Sequence, residues 1–424
     1  LIPANEPQGR PWTISWCIAV GVGLVCTRVL LLVVLARWTG GVEFTGDVAT
    51  HWSLVSNPAQ LVVGHTERFG QYPPLLPFLE AAIAAPASWF LPRFHALRVT
   101  YILYEGLASF FLCLAFRALG ARGISRLAVL GLLLALWPMG WMTSTVMAQD
   151  ESIATCWLML VYWLLATGRA RAALLACSLG VVAAKVLLVL PLLALLGLLP
   201  GLRVRERLLL GLGPATAVHG AVVLASMARG APLPMAGFIP RPDFGVNFWS
   251  LVMFRGGLPP TLAATVSALF AGTMLGYLLR LASRVPGTSR VGPGKDRGVR
   301  WQAGVTAASF LWSFALFYHV NPEYYLLPFY CLALAGWDLV PRSGIALASV
   351  TPWLVNLVFG ATHLAGSGRV AHWPDVARSA LSAVATAGGV LHPASVLINS
   401  VVTLWLAVAA TRRLSRSSGR AACI

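Results

Sequence analysis

A chain of 424 residues that is 58% hydrophobic, only 11% charged and +17 in net charge does not have the composition of a soluble globular protein, in which about 25% of residues are charged. Its apolar runs are continuous and recur at roughly 17–25 residues, enough to cross a hydrocarbon core, which indicates a polytopic all-α membrane protein rather than an alternating β-barrel. The arginines stand in short clusters between those runs, where cytoplasmic loops belong, so the charge reads as topogenic and nucleic acid is not an expected partner.

In chain order, the first span is expected over residues 13–37, acting as a signal-anchor, and residues 39–97 form one large external loop. Residues 70–93 of that loop look like a span but are short, carry Glu80 and are interrupted by Pro77, Pro86 and Pro92. A crossing there would also place Arg117, Arg122 and Arg126 outside, so an interfacial juxtamembrane helix over 74–91 is expected instead. Spans follow at 98–116, 125–145 and 152–168. Residues 172–200 lie between the clusters Arg169/Arg171 and Arg203/Arg205/Arg207, so they must cross twice, turning near Lys185. Further spans are expected at 208–228, 259–280, 301–318, 324–340, 344–363 and 392–411, with external loops at 146–151, 229–258, 319–323 and 364–391. Twelve crossings result, with both termini cytoplasmic; residues 1–340 form the main module, and 341–424 add the last helices and a basic tail.

Acidic residues are scarce, and nine of the 14 fall on the external side: Glu43, Asp47, Glu67, Glu80, Asp150, Glu151, Asp243, Glu323 and Asp375. Solvated loops explain some of them. Asp47 can also be read as a cap of a juxtamembrane helix, and Asp150 with Glu151 as the start of a helix favoured by its dipole. Cationic groups join them at the same face: Arg98 opens the second span, Lys185 sits at the apex of the broken pair, and His319 stands at another outer helix end. A carboxylate able to take a proton, beside cations able to hold a phosphate, suits displacement of a phosphate leaving group. Arg28 and Glu105 lie deeper and read as a polar pair between helices, and His219 as a packed histidine. The seven cysteines show no CxxC spacing, so neither metal nor disulfide chemistry is expected of them.

The ordered pieces TGDVATHW, FGQYPPLLPFLEAAIAAP, FHALRVTYILYEGL, AQDESIATCW with the following lysine and proline, GVNFWSL and HVNPEYYLLPFY together resemble GT-C glycosyltransferases. The resemblance is closest to bacterial polyprenyl-phosphate-mannose-dependent mannosyltransferases of the phosphatidylinositol mannoside type. It covers roughly residues 13–340 and departs at Ala148, where a glycine is expected before Gln149. It implies a GT-C-like bundle and an inverting transfer from a polyprenyl-phosphate sugar to a lipid or glycolipid hydroxyl at the outer face of a bacterial inner membrane. Asp47 would be the general base, with His319 the alternative. Donor phosphate and substrate would be held by Arg98, Lys185, His51, Tyr72, Gln149, Asp150, Glu151, Asn247, Asn321 and Glu323. No cofactor is firmly implied; the single acid at position 47, where some relatives carry a pair, leaves a divalent cation open. The expected partners are the two lipid substrates and membrane lipids, and the expected state is a monomer. A lipid or sugar transporter is the main rival, because it too would place charges such as Arg28, Glu105 and Lys185 within the membrane.

Overall fold

The computed structural model describes residues 10–39, 47–57, 73–199, 202–230, 248, 251–252, 256–283, 295–316, 330–331, 342–366, 370 and 373–421. Among them the regular structure is helical, apart from one isolated bridge between Pro11 and Arg122. Two compact units emerge, one built from Leu1–Val29, Asp47–Ile239 and Gly287–Ala303, the other from Leu30–Gly46, Pro240–Pro286 and Gly304–Ile424.

Helices α1 (Ile14–Thr39), α2 (Asp47–Ser56), α3 (Leu76–Ala87) and α4 (Arg93–Ala118) open the chain. Next come α5 (Ile124–Leu136), α6 (Pro138–Trp141), α7 (Glu151–Ala166), α8 (Ala170–Ala183), α9 (Val189–Leu198), α10 (Val204–Gly211) and α11 (Gly213–Ala228). The remaining helices are α12 (Pro260–Ser283), α13 (Lys295–Leu316), α14 (Arg342–Gly366) and α15 (Asp375–Ala421). Among the described residues, four stretches are long and apolar enough to cross a membrane: Ile14–Arg37, Arg93–Ala118, Thr261–Leu281 and Asp375–Arg416. Counting the bent pairs α5–α6 and α10–α11 as one span each makes six. Glu151–Ala166 and Ala170–Ala183 are apolar but shorter, and most of the expected span 324–340 lies outside the described residues.

Within the first unit, α4 is the central post, packed by α2, α3 and α7. Helices α1 and α4 approach closely at two glycines: a Cβ on Gly106 would stand 2.4 Å from Val25 Cγ2, and one on Gly21 2.9 Å from the Gly106 carbonyl oxygen. Small residues at such a crossing let backbones touch, a common basis for helix association in lipid. Ile14, Ile18 and Val22 on α1 stay exposed, as lipid-facing side chains do.

The expected span 125–145 is bent by 51° where α5 ends and Pro138 begins α6. Proline has no N–H to return to the carbonyl four residues earlier, so Leu134 O loses its helical donor. Arg28 replaces it: Nη2 donates to Leu134 O at 2.9 Å and Nη1 to Ala135 O at 2.7 Å. The same guanidinium forms a fork on Glu105, Nε to Oε2 at 3.0 Å and Nη2 to Oε1 at 2.9 Å. Ser144 donates to Glu105 Oε2 as well. The deep polar pair read from the sequence is thus a saturated joint between α1, α4 and the break in α5.

At one end of this unit the arginine-bearing turns meet. Trp12 Nε1 donates to Gly123 O at 2.9 Å, Gly123 N–H to Arg10 O at 3.1 Å, and Arg171 pairs with Glu206. The other end of α4 carries α2, α3 and the acidic residues.

In the second unit, α14 and α15 pack along each other, joined by a buried hydrogen bond from Thr351 to Asn399. The sequence assigned 364–391 to an external loop, but α15 is already helical from Asp375 and runs for 47 residues. Residues 375–391 are too rich in Ser, Ala and Gly to look like a span, yet alanine is the best helix former, and Gly388 sits where a Cβ would be 2.4 Å from Thr362. Hydropathy locates spans; it does not mark where a helix starts outside them.

Candidate active site

Five separate segments build a buried polar cluster at the acidic end of α4. The α2 helix starts at Asp47 and carries His51 one turn later. After the rigid Pro73-Pro74 step, Leu75 N–H donates to Val182 O at 2.9 Å, which docks the start of α3 on the end of α8. Pro77 occupies the first turn of α3, where a missing N–H costs nothing, and Glu80 follows it into the interior. The start of α4 is tied to α2 by Arg93, whose guanidinium lies 5.9 Å from the centre of the Trp52 ring.

The break between α8 and α9 falls where the sequence predicted a turn. Helix α8 ends at Ala183, Lys185 is irregular, and a short 3₁₀ turn over Val186–Leu188 leads into α9. On the facing side, a π-helical turn over Met142–Val146 is followed by Ala148 in the left-handed region, at φ 53°. That is the position where the family resemblance led to an expected glycine, and such a backbone favours glycine. Gln149 N–H closes the turn on Thr143 O at 2.9 Å, and Asp150 and Glu151 then start α7.

Lys185 Nζ lies 2.8 Å from Asp150 Oδ1, 3.0 Å from Oδ2 and 2.6 Å from Glu151 Oε1. Both carboxylates are buried, and the lysine side chain is 15% exposed. Two acids on one ammonium leave an excess negative charge, which is costly unless further positive charge is near. Burial, against the pull of Lys185, raises the Glu151 carboxyl to about 7, which reduces that excess near neutral pH; the second half of the cluster pairs one carboxylate with one cation and adds no net charge. His51 Nδ1 stands 2.7 Å from Glu80 Oε1, with both side chains buried, and the Tyr101 hydroxyl donates to the same oxygen at 2.6 Å. The His51 and Tyr101 rings meet edge to face at 5.9 Å. Burial opposes a charged imidazole at His51, but the Glu80 carboxylate outweighs it and raises the group to about 9, with smaller opposed contributions from Asp150 and Lys185. The two halves are therefore one electrostatic unit.

Of the predicted residues, Lys185, Asp150, Glu151 and His51 come together here, with Gln149 buried in the adjoining turn. Arg98 is buried in α4, one turn before Tyr101. Asp47 starts α2, but its side chain lies outside the described residues, as do His319, Tyr72, Asn247, Asn321 and Glu323. Glu80 and Tyr101 were not among the predicted site residues. Their signal was a lone acid in the otherwise apolar LPFLEAAIAAPA and a tyrosine three residues from Arg98. Among the described residues, no group of three His, Cys, Asp or Glu side chains is placed to hold a metal ion. An open groove along one face of α15, between Asp375 and Ala387, contains none of the predicted site residues. The chain matches no family model, and neither a curated protein nor a solved structure shows significant similarity to it.

Proposed function

We propose that the protein is a membrane glycosyltransferase that moves a sugar, mannose in the reading favoured here, from a polyprenyl-phosphate donor to a lipid or glycolipid hydroxyl at the outer membrane face. Asp47 accepts the proton of the acceptor hydroxyl as its oxygen bonds to the anomeric carbon. The bond from that carbon to the donor phosphate breaks on the opposite side, and the phosphate leaves with the electron pair and with inversion. Arg98 and the imidazolium of His51, the latter held by Glu80, are assigned to charge stabilisation around the departing phosphate. Lys185, engaged by Asp150 and Glu151, is assigned to ordering those carboxylates around sugar hydroxyls.

The observation that carries this reading is the convergence of His51, Glu80, Tyr101, Asp150, Glu151 and Lys185 from five segments into one buried charged cluster beside the start of α2. A transporter would need its intramembrane charges free to exchange partners, whereas Arg28 and Glu105 saturate each other and two backbone carbonyls. The test is a transfer assay with purified protein, polyprenyl-phosphate-mannose and candidate lipid acceptors. Asp47→Asn is expected to lower the rate by about 100-fold or more, the usual contribution of a positioned base. Full activity in that variant removes Asp47 from the mechanism, and absence of transfer by the wild type from every lipid-phosphate sugar removes the reading itself.

A further inference from the structure

We infer that Glu80, a residue the family resemblance does not single out, is a positioning residue: it locks the His51 ring, one helical turn from Asp47, in the orientation that α2 presents to the substrate. The inference rests on the glycosyl-transfer reading of this site for its functional half and on geometry alone for the rest.

Three elements fix the contact. Glu80 projects from α3, His51 from α2 and Tyr101 from α4, and all three side chains are buried. Glu80 Oε1 takes both partners, His51 Nδ1 at 2.7 Å and the Tyr101 hydroxyl at 2.6 Å. Tyr104, one turn further along α4, donates to Leu79 O at 3.1 Å and pins the neighbouring backbone of α3. A carboxylate held from two sides in this way has little freedom, so the imidazole it faces is held too. The ring is gripped through Nδ1.

The pairing also sets the charge of the ring. An isolated buried histidine would be neutral, because burial disfavours the cation. The groups acting on His51 are Glu80 from α3, Tyr101 from α4, and Asp150 and Lys185 from the facing turns. Glu80 is the strongest of the groups favouring the cation, so the ring stays positive at neutral pH and loses its proton only as the pH rises through about 9. Its contribution to stability follows the same sign: present in full below the ordinary histidine range and lost as the pH climbs to about 9.

Glu80→Gln keeps the shape and an acceptor for Tyr101 but removes the charge. Histidine-labelled protein in detergent, followed by NMR with the His51 signal assigned through His51→Gln, reads the ring directly. The His51 signal is expected to titrate at clearly lower pH in Glu80→Gln than in the wild type, and Glu80→Asp to restore part of the difference. In the transfer assay Glu80→Gln is expected to lose kcat, on the order of 100-fold for an ångström-scale misplacement, with KM for the donor changing less, and to lose activity at a lower pH than the wild type. Should Glu80→Gln yield too little folded protein, Glu80→Asp, which keeps the charge but draws it back by one methylene, gives a smaller shift in the same direction. An unchanged His51 titration in Glu80→Gln or Glu80→Asp overturns the inference. An inactive wild type with the expected NMR shift sinks the glycosyl-transfer reading and leaves the Glu80 grip on His51 standing.

Discussion

At φ 53° and fully buried, Ala148 holds a conformation that L residues avoid. Left-handed backbone costs an alanine roughly 1–2 kcal/mol, and the strain sits two residues before Asp150 and three before Glu151, the acids that hold Lys185. Ala148→Gly relieves that strain but gains unfolded-state entropy, about 0.4–1 kcal/mol, and loses a buried methyl group. The expected result is near neutrality. Ala148→Val adds a β-branched side chain to a buried site at positive φ, so a clear drop in melting temperature is expected. Thermal unfolding in detergent compares the two, and a valine variant as stable as the glycine variant would show that the turn is not strained. Asp150, Glu151 and Lys185 were legible in the sequence because charges are scarce there and each stood at a break in an apolar run. The partnership of Glu80 with His51 was not, because it depends on how α3 docks against α2 and α4, and no spacing rule encodes that.

The joint at the α5 break couples three elements through one guanidinium. Arg28 from α1 meets Glu105 from α4 and the two carbonyls stranded where Pro138 interrupts the helix. Removing one partner leaves a buried charge uncompensated, typically a loss of about 3–5 kcal/mol. Glu105→Ala is therefore expected to reduce the folded fraction sharply, while replacing both Arg28 and Glu105 by apolar residues of similar size costs less. Gly140→Ala should also destabilise, since its Cβ would lie 2.6 Å from Glu105 Oε1 and 2.7 Å from Arg28 Nη2. Size-exclusion profiles and melting curves in detergent check the series; a Glu105→Ala protein that melts like the wild type would sink the joint as a structural element. The sequence identified the pair from two charges deep in apolar runs, whereas it read residues 125–145 as one continuous span and did not anticipate the break at Pro138. That one answers the other is a consequence of the i to i−4 hydrogen bond that Pro138 cannot make.

Across the first unit, contacts sort the turns into two sets. Trp12 and Arg10 meet Gly123, Arg171 meets Glu206, and the Phe111 and Trp163 rings lie 5.7 Å apart toward the ends of α4 and α7, so the turns rich in arginine share one end. Val182 meets Leu75, and Lys185 meets Asp150 and Glu151, so the acidic turns share the other. Charge parity along the sequence arrives at the same partition without distances, because each crossing changes sides and arginine clusters are retained on one side. Parity is insensitive to the length of a helix, which is why it placed the break at Lys185 and yet missed the early start of α15. Which end faces outward is the step on which the proposed function depends, since a polyprenyl-phosphate donor used at the outer face must meet the acidic end there. Ser53 on α2 and Arg122 in the α4–α5 turn are both exposed and belong to opposite ends. After replacement of the native cysteines, Ser53→Cys is expected to react with an impermeant maleimide on intact cells, and Arg122→Cys only once the membrane is opened. The reverse pattern would put His51, Glu80 and the Lys185 cluster on the cytoplasmic side, where cytosolic nucleotide-activated sugars would be the accessible donors, and the outer-face transfer reaction would have to be abandoned.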